Sequence, residues 1–174
     1  MHKKKLVVSV LGSPFPKSSS ERIANIITRS LSTKNWETYV VDLSSIPSDA
    51  LLMRSQSTSL NQAIDKVISS DLVIVASPTY RATYTGLLKT FFDQFPSESL
   101  ASNFALPIQT GGSPEHSLST EYGLAPMLRS LGALILSNSI YSWGDHWIDE
   151  TSPSDDLKKI ISKSLTEISK LIEE

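Results

Sequence analysis

Leu72-Val73-Ile74-Val75-Ala76, followed at once by Ser77-Pro78-Thr79-Tyr80-Arg81, is the stretch on which the fold turns. An apolar run with no polar alternation reads as a strand covered on both faces. A strand of that kind belongs to a parallel sheet lying between layers of helices. The segments on either side fit this reading. Upstream, Leu60, Ala63, Ile64, Val67 and Ile68 fall at helical spacing, and Thr38 to Leu43 is a β-branched run. Before them, Ile23, Ile26, Ile27 and Leu31 mark one helix face, and Leu6-Val7-Val8-Ser9-Val10-Leu11 reads as a first buried strand.

Downstream the scheme repeats. Leu87, Leu88, Phe91, Phe92 and Phe95 line one helix face, closed by Pro96. Phe104 to Thr110 reads as a fourth strand despite Pro107, which places that proline at an irregular point of the sheet. A helix opens at Pro114, Ala133 to Leu136 is the expected fifth strand, and Leu157 to Ile172 carries a long amphipathic stripe. Asp155 and Asp156 suit the positive end of that last helix. Five strands alternating with helices give an α/β fold with helices on both faces of a parallel sheet. With no internal repeat, low-complexity segment or linker, a single domain over residues 1–174 is expected.

Composition narrows the function. A net charge of -2 with 20% charged residues creates no field suited to nucleic acid or an anionic membrane. The absence of cysteine removes disulfides, thiolate metal sites, iron–sulfur ligation and thiol nucleophiles. No histidine or carboxylate partner stands at metal-ligand spacing from His116, so no metal site is expected. The basic start Met1-His2-Lys3-Lys4-Lys5 precedes an apolar run that stops at Gly12. That run is short for a secretory signal, and a first strand explains it better. No stretch is long enough to span a bilayer, and a cytoplasmic location is the resulting expectation.

In open α/β sheets ligands bind beyond the carboxyl ends of the strands. The loop after the first strand, Gly12-Ser13-Pro14-Phe15-Pro16-Lys17-Ser18-Ser19-Ser20-Glu21, is neither a dinucleotide fingerprint nor a Walker A motif. It offers hydroxyls and a lysine where a helix begins, which suits a phosphate. Ser18-x-x-Glu21 is equally a capping box that needs no ligand. After the third strand, Tyr80, Arg81 and Tyr84 can border a flat aromatic ligand, or the tyrosines can cap the core. After the fourth, Thr110-Gly111-Gly112-Ser113-Pro114 allows close approach of backbone to a ligand, or forms only a tight turn with Ser113 as a helix cap.

Three segments together, G-S-P-x-x-x-x-S-S-S, S-P-T-Y-R-A-T-Y-T-G-L-L-K-T-F-F-D and T-G-G-S-P-E-H-S-L-S-T-E-Y-G-L-A-P-M-L, run in order from Leu6 to about Ala133. In them the chain resembles the NADPH-dependent FMN reductases of the flavodoxin-like fold. The likeness is closest to reductase partners of two-component flavin monooxygenases such as alkanesulfonate monooxygenase. The resemblance implies a three-layer α/β/α sandwich with a five-stranded parallel sheet in the order 2-1-3-4-5. It implies that Ser13, Ser18, Ser19 and Ser20 hold the FMN phosphate with Lys17 nearby. Pro78, Thr79, Tyr80 and Arg81 border the isoalloxazine, and Thr110, Gly111 and Gly112 its other edge. Tyr122, near Gly123 and Pro126, corresponds to an inserted tyrosine that gives a π-bulge at a tetramer interface.

The function so implied is NAD(P)H-dependent reduction of FMN, the nicotinamide delivering hydride to flavin N5. Reduced FMN then leaves for a partner monooxygenase, and the enzyme is a homodimer or homotetramer. The flavin carries the chemistry, so no acid–base residue is required, and Arg81 or Lys17 serves to attract the phosphates of NADPH or NADH. Two alternatives remain at this stage: a bound-FMN reductase of quinones, azo dyes or metal ions, and a flavodoxin-type electron carrier. The near-neutral charge disfavours the carrier.

Overall fold

The computed structural model describes residues 4–173; the basic start Met1 to Lys3 lies outside them. A parallel sheet carries the order β2-β1-β3-β4-β5, formed by Leu6–Leu11 (β1), Glu37–Asp42 (β2), Leu72–Pro78 (β3), Phe104–Thr110 (β4) and Leu134–Ile135 (β5). This is the flavodoxin-like order that the resemblance implies. Its central strands β1 and β3 pair in register from Val7 with Leu72 to Leu11 with Ala76.

Side chains alternate between two cores because successive strand residues point to opposite faces. Val8, Val10, Val73, Val75 and Ala105 face Thr58–Ile68 (α3), Gly86–Phe92 (α4) and Ala125–Arg129 (α5), with the short Ser48–Leu51 (α2) alongside. Val7, Leu72, Ile74, Leu106 and Ile108 face Ser19–Thr33 (α1) and Asp155–Ile168 (α6). The helices start where side chains satisfy free backbone donors: Ser18, Ser57, Thr85 and Ser154 accept from Glu21, Leu60, Leu88 and Leu157 N–H groups. Among the described residues no helix is long and apolar enough to cross a membrane.

The fifth lane of the sheet departs from the expected single strand over Ala133 to Leu136. It is split: β5 covers only Leu134–Ile135, and a further strand, β6 (Ile140–Ser142), continues along the same side of β4. Pro107 is the physical reason. Asn103 and Ala105 carbonyls receive the N–H groups of Leu134 and Leu136, so the odd-numbered residues of β4 face this lane. Pro107 therefore turns its donor-less nitrogen toward the gap, where no ladder bond can form. The residues of the break are held instead by α6. Glu167 accepts from the backbone N–H groups of Ser137 and Asn138 at 2.7 and 2.8 Å and from both side chains.

Candidate functional site

The carboxyl ends of β1, β3, β4 and β6 open toward one end of the sheet. Beyond β1 the chain turns at Gly12, where an added Cβ would lie 3.1 Å from Leu88 Cβ and closer still to the rest of that side chain. Only glycine lets the strand end lie this close to α4. Thr85 Oγ1 donates to the Gly12 carbonyl at 2.6 Å, and the Thr85 N–H donates to Ser77 Oγ at 3.1 Å. The loops after β1 and β3 are thus tied together beneath the site.

The first loop distributes its hydroxyls unequally. Ser13 is buried and engaged with Phe15, accepting from its N–H and donating to its carbonyl at 2.7 Å. Ser20 is buried with its hydroxyl 3.1 Å from Ser18 Oγ. Ser18 caps α1 through Glu21 N, while the Glu21 carboxylate receives Lys17 N–H at 2.6 Å rather than that of Ser18. Lys17 adopts a left-handed backbone, φ 60°, to make this possible. Ser18 and Ser19 alone of this loop line the cavity described below.

After β3, Tyr80 and Thr83 close a tight turn with Arg81 and Ala82 at its tip, Tyr80 N–H donating to the Thr83 carbonyl at 2.8 Å. Both tip residues are left-handed, φ 51° and 65°, the form usually built from Asn-Gly. Each costs about 1–2 kcal/mol relative to ordinary backbone, so packing elsewhere must hold the turn. Its effect is to carry Tyr80 and Arg81 out to the rim.

After β4, Thr79 N–H donates to the Thr110 carbonyl at 2.7 Å, and Gly111 N–H donates to the Ser142 carbonyl at 2.9 Å. A Cβ on Gly111 would lie 3.2 Å from Tyr141 Cζ and closer to its hydroxyl, so any side chain here must displace the Tyr141 ring. Tyr141 donates its hydroxyl to the Ser113 carbonyl at 2.8 Å. Ser113 occupies the expected cap position but makes no side-chain cap bond. Its hydroxyl instead helps hold the Glu115 carboxyl below the usual range, with the Glu115 N–H. The helix expected to open at Pro114 is a single 3-10 turn, Pro114–His116, and His116 is exposed.

These loops enclose a cavity of about 370 Å³. Ser18 and Ser19 stand at one side, Pro78, Thr79 and Tyr80 at another, and Thr110, Gly111 and Gly112 at a third. Ser13, Lys17, Ser20 and Arg81 lie outside its lining. Ser142 at the end of β6, with Trp143, Gly144 and Trp147 from the segment after it, forms a fourth wall. Sequence reasoning missed this wall because it missed β6; the β-branched and aromatic run Ile140-Tyr141-Ser142-Trp143 before Gly144 was the available signal. Trp143 stacks on His146 with ring centroids 3.8 Å apart. Burial lowers the His146 pKa against the pull of Asp156 and Asp145, so its neutral form is favoured. Arg22 in the first turn of α1 donates to the Glu150 carbonyl and fastens this segment beside the serines.

Tyr122 lies elsewhere. Thr120–Leu124 winds as π-helix, and Tyr122 at its centre is 80% exposed, away from the cavity. A Cβ on Gly123 would come within 2.8 Å of Thr83 Oγ1, so glycine lets the π-turn press against the loop after β3. Tyr122 borders a separate groove of about 630 Å³ with Tyr84, Phe92, Met127 and Leu131.

The cavity suits a phosphorylated, flat, aromatic ligand. Hydroxyls at the N-terminal end of a 15-residue helix favour a phosphate. The glycine slot and the rings of Tyr80 and Trp143 favour a planar ring system.

Known proteins agree with this chemistry. Residues 6–147 match the family profile described as NADPH-dependent FMN reductase. The FMN reductase (NADPH) of Escherichia coli is 32% identical over 144 residues, 82% of this chain and 75% of that protein. An NADH:FMN oxidoreductase (EMOB) in its apo form superposes with a TM-score of 0.87 at 30% identity, covering 95% of this chain and 90% of that one. A flavodoxin of Streptococcus pneumoniae superposes with a TM-score of 0.63 at 15% identity over 96% of this chain and 99% of its own, a likeness of fold alone.

Proposed function

The chain belongs to the family of NADPH-dependent FMN reductases and is an NAD(P)H-dependent flavin reductase; from that premise we propose that FMN is a substrate that enters the four-walled cavity and leaves it reduced. The observation that carries this reading is the convergence of the α1 serines, residues 78–80 and residues 110–112 on one cavity. Ser18 and Ser19 bind the phosphate there, and Ser13, Lys17 and Ser20 shape the loop behind them. Thr79, Tyr80, Gly111 and Gly112 border the ring, with Trp143 as a wall beside it. When bound, FMN supplies the ring that accepts a hydride from the nicotinamide. The protein binds, orients and shields, and no side chain acts as acid or base. Arg81, on the rim, attracts the phosphates of the nicotinamide nucleotide.

The resemblance to two-component systems extends the proposal to a partner. Reduced FMN passes to a flavin-dependent monooxygenase in the cytoplasm, and copies of this single domain, residues 1–174, associate as a homodimer or homotetramer through the face around Tyr122. The test is NAD(P)H oxidation by desalted protein with and without free FMN. Oxidation that rises with added FMN and saturates is the expected result. Oxidation independent of added FMN, with a quinone or dye as acceptor, would replace this reading by a bound-flavin reductase.

A further inference from the structure

Two polar groups on the fourth wall of the cavity are buried without a partner. Ser142 is fully buried, and neither its hydroxyl nor the Trp147 indole N–H makes a hydrogen bond among the described residues. Buried polar groups are satisfied in the great majority of cases, because an unmade bond is costly. Two of them on one wall call for a partner from outside the chain. Both lie on the α1 side of the sheet. Ile140 packs into the core beneath α1 and α6, and Ser142, two residues on in β6, points to the same face. Trp147 packs against that same core. The start of α1 lies there too: Ser18 and Ser19 line the cavity together with Ser142 and Trp147. Arg22, in the first turn of α1, donates to the Glu150 carbonyl three residues beyond Trp147. His146 Nδ1 is likewise unpartnered, but His146 is stacked on Trp143 and does not line the cavity.

The chemistry of the two groups selects their partner. An indole N–H can only donate, and the Ser142 hydroxyl has a proton to give. With the α1 serines on the adjoining wall, donors from two elements far apart in sequence border the same end of the cavity. A phosphate monoester near neutral pH carries close to two negative charges and several strong acceptor oxygens. We propose that Ser142 Oγ and Trp147 Nε1 donate to the phosphate of FMN, completing from the fourth wall the site that the α1 serines open, and that these two bonds make the cavity select FMN over riboflavin. Both atoms are closed to water, so the segment from Trp143 to Trp147 must shift slightly to admit the phosphate oxygens. Once made, charge-assisted bonds in so dry a place are strong. The inference rests on the FMN reading of the cavity and adds the wall residues that recognise its phosphate.

The test compares binding of FMN and of riboflavin by quenching of flavin fluorescence, without nicotinamide nucleotide. Trp147→Phe keeps the aromatic wall and removes the N–H; Ser142→Ala removes the hydroxyl. Each is expected to weaken FMN binding at least about tenfold, the size of a hydrogen bond to a charged group, and to leave riboflavin within about twofold. Equal weakening of both flavins would overturn the phosphate assignment, and unchanged FMN affinity would overturn the donor role. A second measurement on the wild-type protein stands even if a buried variant fails to fold. In nitrogen-15 NMR, FMN should move the Trp147 indole N–H proton downfield and riboflavin should not. A signal that responded alike to both flavins, or to neither while FMN bound, would overturn the proposal. Wild-type protein that bound neither flavin would overturn the FMN reading itself.

Discussion

Gly111 and the Tyr141 hydroxyl occupy one slot: the ring of Tyr141 fills the space that any side chain at position 111 would need. The loop after β4 and the strand β6 are therefore fitted to each other at the cavity wall.

Gly111→Ala forces Tyr141 to move and breaks its 2.8 Å bond to the Ser113 carbonyl. The expected result is a loss of FMN affinity of about tenfold, the value of one hydrogen bond and its geometry. Titration of flavin fluorescence measures it, and affinity within twofold of wild type would refute the fitted slot.

Gly12→Ala acts on stability. The new methyl meets the fully buried Leu88 side chain, and overpacking of this kind costs about 1–3 kcal/mol. Gly86→Ala is the contrasting variant, because a Cβ there has nothing within 4 Å and lies in the first turn of α4. It should be neutral or add about 0.4–1 kcal/mol. Urea unfolding of both variants checks the pair.

Glu167 links stability to pH. Partial burial opposes its charge, but the hydrogen bonds from Ser137 and Asn138 outweigh burial and lower its pKa. A carboxylate with a lowered folded pKa stabilises at neutral pH and loses that contribution as pH falls through the folded value. Glu167→Ala should lower stability at pH 7 by about 1–3 kcal/mol, and the two unfolding curves should converge in acid. Curves that stayed parallel at every pH would contradict the linkage.

Asp149 carries a second acid-sensitive turn. Its carboxylate accepts from Thr151 and Ser152, chiefly from the Thr151 N–H, which lowers its pKa to about 2. The turn that continues the Trp143 wall should thus survive until pH nears that value, its stabilisation being lost only as pH falls through it. Carbon-13 NMR of the labelled carboxyl should give a midpoint near 2, and an ordinary aspartate midpoint would show the turn to be absent in solution.

Tyr122→Ser addresses association. The side chain is 80% exposed beside a groove of mixed polar and apolar lining, so its loss should leave folding intact. The expected effect is a shift to smaller species in light scattering after gel filtration. An unchanged mass would remove Tyr122 from the interface.

The fold was legible because its signals are local. Leu72–Ala76 lacks polar alternation because both faces of β3 are covered, and the helical stripes around Ile23, Leu60 and Leu157 report which face each helix buries. The split of the fifth lane was half legible. Pro107 announced an irregular point, but the irregularity lies in the neighbouring strand, and which neighbour receives a missing N–H is decided by register.

By itself the sequence determined the alternation of strands and helices, the loops that must meet at the carboxyl end of the sheet, and the hydroxyls and glycines they bring. Period, capping and turn chemistry act between residues close in the chain, so they can be read from it. Only the tertiary structure decided which hydroxyls reach the cavity, that Ser13 and Ser20 are spent inside the loop, and that Trp143 and Trp147 supply a fourth wall. The reason is physical: a hydroxyl's role depends on which donor or acceptor stands within about 3 Å of it. Those partners come from strands and loops far apart in sequence, brought together only by the packing of the sheet.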